Sequence, residues 1–202
     1  MGERTGVIVA GGQSTRMGDV DKTVVDVAGV PLVRRVANRL LAVVDHLVVN
    51  CRRDQQERLA AALAGLSPTF AVDEVPDRGP TAGIMTGLSA VETPYAAVVA
   101  ADMPYLDPEL LEYLFERADG HDAAVPRPEE WFEPLHAVYR PEPMAEACAE
   151  ALEAADARII TPLSSLDHIV IERDAIVEHG SLRSFESVDT PEDLERARER
   201  LS

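Results

Sequence analysis

Gly6-Val7-Ile8-Val9-Ala10-Gly11-Gly12-Gln13-Ser14-Thr15-Arg16-Met17-Gly18-Asp19-Val20-Asp21-Lys22 is the stretch on which the reading of this 202-residue chain turns. Gly6 to Ala10 form a short, continuous apolar run that stops at two glycines, as a strand buried on both faces does. The polar, glycine-bearing segment that follows stands at the carboxyl end of that strand, where open α/β sheets bind their ligands. Glycines there let backbone N–H groups come close to an anion. Lys22 is the only lysine of the chain, although arginine occurs throughout. A compact ammonium and a planar guanidinium are not equivalent at a tight oxyanion site, so the retained lysine points to contact with a phosphate. Two common nucleotide signatures do not fit. No lysine follows a glycine, as Gly-x-x-x-x-Gly-Lys-Ser/Thr requires, and the glycine spacing departs from Gly-x-Gly-x-x-Gly.

Outward from this stretch, strand-like runs alternate with helical patterns, the signature of a parallel α/β sheet. From Pro31, Leu32, Val36, Leu40, Val43 and Val44 recur at helical spacing, with proline tolerated in the first turn. His46 to Asn50 reads as the second strand, about Asp54 to Leu63 as a helix, and Thr69 to Val72 as a short strand. Thr81 to Val91 reads as a helix whose Gly83 and Gly87 imply close approach of another backbone or a ligand. Tyr95 to Ala101 is a central strand ending at Asp102, and Asp107-Pro108-Glu109 opens a helix in good N-terminal form. Ala123 to Pro126, Leu135 to Tyr139 and Ile169 to Glu172 read as strands. Pro143 to Ala155 and Pro191 to Leu201 read as helices, the last capped by Thr190. With no internal repeat and no long linker, residues 1–202 read as one domain.

Thirty-six acidic residues against nineteen basic ones give a net charge of −17. Such a surface repels nucleic acid, which is bound by neutralising phosphates, so a nucleic-acid groove is excluded. Excess Asp and Glu with almost no Lys resembles the composition of halophilic proteins, whose self-repulsion salt screens. Cys51 and Cys148 read as free thiols of a reducing compartment. No apolar run approaches the ~18 residues of a membrane helix, and the N-terminus fails the myristoylation pattern. A soluble, cytoplasmic protein is expected.

Ala10 to Lys22, as Ala-Gly-Gly-x-Ser-x-Arg-Met-Gly-x-x-x-Lys, resembles the signature of nucleotidyltransferases of the molybdenum-cofactor guanylyltransferase (MobA-like) type. The resemblance continues in Gly29-Val30-Pro31-Leu32, Val48-Val49-Asn50 and Arg78-Gly79-Pro80-Thr81-Ala82-Gly83-Ile84. It extends to Ala101-Asp102-Met103-Pro104-Tyr105-Leu106, Glu133-Pro134-Leu135-His136-Ala137-Val138-Tyr139-Arg140 and Asp189-Thr190-Pro191-Glu192-Asp193-Leu194. It implies a three-layer α/β sandwich with a mostly parallel central sheet, a Rossmann-like, GT-A-like nucleotidyltransferase fold. Together with the composition it suggests a haloarchaeal source.

The same resemblance implies that GMP passes from GTP to the phosphate of molybdopterin and pyrophosphate leaves, with Mg2+ as cofactor. Protein partners that insert molybdenum or serve molybdoenzymes are implied too. Such a reaction needs positioning and charge stabilisation more than covalent help. Arg16 and the backbone of Gly11, Gly12, Ser14 and Thr15, with Ala10 beside them, would hold the departing phosphates, and Lys22 would stabilise charge on the α-phosphate. Gly79, Pro80 and Gly83 match further nucleotide-binding positions. Asp102 ends an apolar strand, a costly place for a carboxylate without a partner, and Mg2+ bridging it to the phosphates supplies one. Guanine presents N1–H and N2–H2 on one edge, so a single carboxylate can accept both. Asp73 is the candidate, assisted by Asn50, with Glu74 and Asp77 close in sequence.

At the acceptor end the chain departs from the family. Ser187-Val188-Asp189 replaces the usual Asn-x-Asn and sets an acid where an anionic pterin phosphate would bind, and Glu133 stands where an amide or histidine is commoner. Trp131 and Phe132 could stack on a pterin. The five histidines are scattered and read as structural or surface residues. Two neighbouring reactions stay open, GMP transfer to adenosylcobinamide phosphate and CMP transfer to the molybdenum pterin. So does a nucleotide-binding regulatory module without catalysis.

Overall fold

In the computed structural model, which describes residues 2–12, 21–75, 78–154 and 158–202, seven strands form one sheet. In chain order, strand β1 (Thr5–Val9) precedes a 3-10 turn (Lys22–Val24) and a hairpin of β2 (Asp26–Val27) and β3 (Val30–Pro31). Helix α1 (Leu32–Leu40), β4 (His46–Cys51), α2 (Gln56–Ala62), β5 (Thr69–Val72), α3 (Pro80–Leu88) and β6 (Ala96–Ala100) follow. Next come α4 (Pro108–Ala118), β7 (Ala123–Arg127), β8 (His136–Tyr139), α5 (Pro141–Glu153), β9 (His168–Glu172), α6 (Arg173–His179) and α7 (Pro191–Leu201).

The sheet order is β5-β4-β1-β6-β8-β7-β9, with β8 antiparallel to both of its neighbours and every other pairing parallel. Register sets Ile8 opposite Val49 on one side and Val99 on the other. Because β1, β4, β5 and β6 run in one direction, their carboxyl ends share one edge. Ala10, Asn50, Asp73 and Asp102 are brought to that edge by topology alone.

Alternate residues of the buried strands feed two cores. Ile8, Val49 and Val99 pack with Val36 and Leu40 of α1 and Leu110 and Leu114 of α4. Val7, Val48 and Val98 pack with Ile84 and Leu88 of α3 and Met144 and Cys148 of α5. The result is three layers, α/β/α. A third cluster seats α7 on the hairpin through Val27, Leu32, Val188, Leu194 and Ala197.

Several boundaries differ from the sequence expectation. Helix α1 stops at Leu40, short of Val43 and Val44, and Pro31 closes the hairpin before the first turn. Val44 still packs into the core after the helix has ended, so the apolar spacing outlives the helix. Helix α3 ends at Leu88, short of Val91, and α5 begins two residues early at Pro141; Ala155 lies outside the described residues. The hairpin β2–β3 and helix α6 have no counterpart in the periodicity. Both cysteines are free and buried, and burial pushes the thiols up to about 11 for Cys51 and about 12 for Cys148, which leaves them unreactive.

Candidate active site

A cavity of about 490 Å³ opens at the shared strand edge. Ala10, Gly11 and Gly12 reach it from the end of β1, Asn50 from β4, and Asp73 from just beyond β5. Gly79, Pro80 and Gly83 line it from the N-terminal turn of α3, Lys22 from the 3-10 turn, and Asp102 from beyond β6. These described candidates for nucleotide and metal binding therefore face one space. Ser14, Thr15, Arg16 and Asp77 lie outside the described residues. Of the three acids near β5, Asp73 lines the cavity and Glu74 does not.

At one end stands a charged cluster. The Lys22 ammonium donates to Asp102 Oδ2 at 2.5 Å and to Asp189 Oδ1 at 2.8 Å. Burial alone would lower the lysine pKa, but the two carboxylates outweigh it and the net shift is upward. Lys22 is held in place by a local cap: Asp21 accepts from the backbone N–H and hydroxyl of Thr23. Asp102 stands two residues beyond the end of β6, and its carbonyl accepts from the Val188 N–H, which ties the segment before α7 to the strand end. Asp189 sits at the mouth of α7, where Thr190 and Asp193 form a capping box and Asp193 also accepts from the Asp189 N–H. The Ser187 hydroxyl donates to the other Asp189 oxygen at 2.5 Å. The acid that sequence comparison sets against an anionic acceptor is thus bound to the site lysine. Sequence reasoning missed this partnership.

At the other end the Asn50 amide donates through Nδ2 to Asp73 Oδ1 at 2.7 Å and to the Ala71 carbonyl at 3.3 Å. Two acceptors fix which end of the amide carries nitrogen. Its Oδ1 is fully buried without a hydrogen-bond partner among the described residues. Glycines make room for this pair. A Cβ on Gly11 would stand 2.8 Å from Asp73 Oδ2, and one on Gly83 would stand 2.6 Å from Asn50 Oδ1 and 2.9 Å from Val9. Gly87 meets Val7 at 2.5 Å in the same way. Within the protein, the close approach expected at Gly83 and Gly87 is therefore to side chains of β1 and β4 rather than to a backbone, and Gly83 also lines the cavity. The α3 N-terminus starts at Gly79, whose φ of 80° suits glycine, and Pro80 takes the first helical position. This end of the helix carries partial positive charge toward the cavity.

Other sequence candidates lie elsewhere. Phe132 is engaged edge-on with His168 and lies under the Arg127 guanidinium, 5.6 Å from its centroid. Trp131 is 70% exposed on the β7–β8 loop. Burial raises the pKa of Glu133, which lines a separate surface cavity. His136 is buried beside Ser184 and Phe185.

A family model described as the MobA-like NTP transferase domain matches residues 6–169. The chain belongs to that family. It is a nucleotidyltransferase of the MobA-like kind, whose members typically use a divalent metal. A Natronomonas pharaonis protein named probable molybdenum cofactor guanylyltransferase is 98% identical over 202 residues, all of both chains. A Haloferax mediterranei protein of the same name is 37% identical over 191 residues, covering 95% of this chain and 91% of its own. Among solved structures, molybdopterin-guanine dinucleotide biosynthesis protein A of Archaeoglobus fulgidus superposes with a TM-score of 0.81 at 27% identity, covering 98% of each chain. Among the described residues no helix is long and apolar enough to cross a membrane.

Proposed function

We propose that this chain is a molybdenum cofactor guanylyltransferase: it transfers GMP from GTP to the phosphate of molybdopterin and releases pyrophosphate. The observation that carries the reading is the convergence of Lys22, Asp102 and the Asn50–Asp73 pair on one cavity, a phosphate end and a base end in a single space. An oxygen of the pterin phosphate attacks the α-phosphorus of GTP, the bond from that phosphorus to the β-phosphate oxygen breaks, and pyrophosphate takes the electron pair.

The described residues fit Mg2+ by donor type. Asp102 and Asp189 bring two carboxylates to the Lys22 ammonium at the cavity. Carboxylate oxygens are the donors magnesium takes. Asp102 and Asp189 would hold it, and when bound it supplies neutralisation of phosphate charge. Lys22, released from one or both carboxylates, stabilises charge on the α-phosphate. Gly11, Gly12 and the start of α3 offer backbone donors to the phosphates, and Arg16 adds a guanidinium to the leaving group. Asp73, steadied by Asn50, accepts from guanine N1–H and N2–H2. Residues 1–202 serve as one nucleotidyltransferase domain in the cytoplasm, with partners that supply or receive the pterin.

The test is dinucleotide formation and pyrophosphate release from each of the four NTPs, with and without molybdopterin and Mg2+. The reading expects GTP alone to be consumed, and only with the pterin. Consumption of CTP, or GTP binding without pyrophosphate release, would reject it.

A further inference from the structure

The corner between β4 and α2 holds both flanks of the glycine loop, although neither of its two key side chains lines the cavity. Arg52 donates through one terminal nitrogen to the Gly11 and Gly12 carbonyls, each at 2.9 Å. The opposite edge of its guanidinium faces Asp54, at 3.2 and 3.4 Å. Three residues on, Gln55 is 1% exposed and donates to Asp21 Oδ2 at 3.0 Å. Asp21 is the residue whose other oxygen caps the turn that carries Lys22. The two anchors are themselves tied, since the Arg52 N–H donates to Gln55 Oε1 at 3.1 Å and the Gln55 N–H to the Arg52 carbonyl at 3.1 Å.

We propose that Arg52 and Gln55 are positioning residues for the transfer reaction: from one turn, Arg52 sets the Gly11–Gly12 end of the loop and Gln55 sets the Asp21–Lys22 end. Two successive glycine peptides are intrinsically little constrained, and each can rotate to turn a carbonyl oxygen toward a bound phosphate. A guanidinium that holds both carbonyls prevents this, so the entropy of ordering these two peptides is met before nucleotide arrives. Gln55 does the same for Lys22 through Asp21. Gln55 starts α2 through its backbone, while its buried side chain is engaged at both ends, by Arg52 and by Asp21. Arginine suits the first position because its fork serves the loop and Asp54 at once, which a lysine cannot do.

The inference rests on the proposed transferase reading, and the experiment separates the two. Arg52→Ala, Arg52→Lys, Gln55→Leu and Gln55→Glu are compared with the unaltered chain in GTP kinetics with molybdopterin and Mg2+. Amide exchange is followed in peptides covering residues 9–12 and 21–25. Arg52→Ala is expected to raise KM for GTP about tenfold with kcat changed less than threefold, and Arg52→Lys to recover part of the loss. Gln55→Leu is expected to lower kcat about tenfold, since Lys22 acts on the transition state, and Gln55→Glu to do so as well, because it faces two carboxylates toward each other. Exchange accelerates in residues 9–12 for the Arg52 variants and in 21–25 for the Gln55 variants, while the β6 peptide stays protected. An unaltered chain that releases no pyrophosphate rejects the transferase reading, and the exchange data still judge the clamp. Wild-type exchange in both flanks, or a lowered Tm with KM and kcat unchanged, overturns the clamp.

Discussion

Replacing Asp73 by asparagine probes the base end of the cavity without disturbing its frame. The Asn50 amide donates to Asp73 Oδ1 at 2.7 Å, and an asparagine oxygen can still accept that bond. The second oxygen sits beside Gly11, near enough that a Cβ there would come within 2.8 Å. In Asp73→Asn the oxygen at that second position becomes an NH2 group, so a donor meets the guanine donors. Hydrogen bonds to a charged group are worth about 1.5–3 kcal/mol each. Weakening two of them and opposing donors should cost about 3 kcal/mol in kcat/KM, roughly a hundredfold. The sharper reading comes from ITP, which lacks the 2-amino group. The unaltered chain should prefer GTP over ITP by about tenfold or more, as one such bond predicts. In Asp73→Asn that preference should fall to about threefold or less, because the group that reads the amine is gone. The assay is initial-rate pyrophosphate release with each nucleotide and saturating molybdopterin. A GTP/ITP ratio unchanged by the substitution would refute the assignment, whatever happens to the absolute rates.

Three further outcomes follow from the structure. Asp189→Asn removes one of the two carboxylates on Lys22, and the Mg2+ concentration for half-maximal rate should rise about tenfold, read from a metal titration; an unchanged titration removes Asp189 from the metal site. Burial holds His136 down to about 3 against an ordinary 6.5. The unfolded chain therefore takes up a proton below about pH 6.5 that the folded chain refuses until about 3, so the folded state loses stability as pH falls through that window. At pH 5 the loss is about 2 kcal/mol relative to pH 8, and His136→Gln should flatten that slope in urea unfolding at the two pH values. Ala28 adopts φ of 50° in the hairpin turn, a region asparagine tolerates better, so Ala28→Asn should raise stability by about 0.5–1 kcal/mol, seen as a higher Tm.

Much of the site was legible because parallel strands deliver their carboxyl ends to one edge, and each end carries its own local mark. Gly11-Gly12 after an apolar run, Asn50 after another, and Asp102 before Met103-Pro104 are each visible within a few residues. Asp73 could be singled out over Glu74 because it comes first after the strand. What escaped notice depends on long-range partnership. Asp189 reads in sequence as an obstacle to an anion, and only the capping box of α7 and the Val188–Asp102 bond bring it to Lys22. Arg52 and Gln55 look like surface polar residues of a helix start until the loop they hold is seen. Gly83 and Gly87 announce crowding, but spacing cannot say whether a ligand or the side chains of Val7, Val9 and Asn50 do the crowding. The hairpin β2–β3 has two residues per strand, and α6 has seven residues with one buried side chain, Ile176, so neither shows a period.

Pyrophosphate release from GTP and molybdopterin with Mg2+, measured for Lys22→Arg and Asp102→Asn beside the unaltered chain, tests the paired roles of the lysine and the strand-end acid. Both variants should keep the native circular dichroism spectrum and cooperative melting while the rate falls at least about a hundredfold, the usual cost of losing one charged stabiliser at a transferring phosphate. Rates in both variants within a few fold of the unaltered chain would contradict the account.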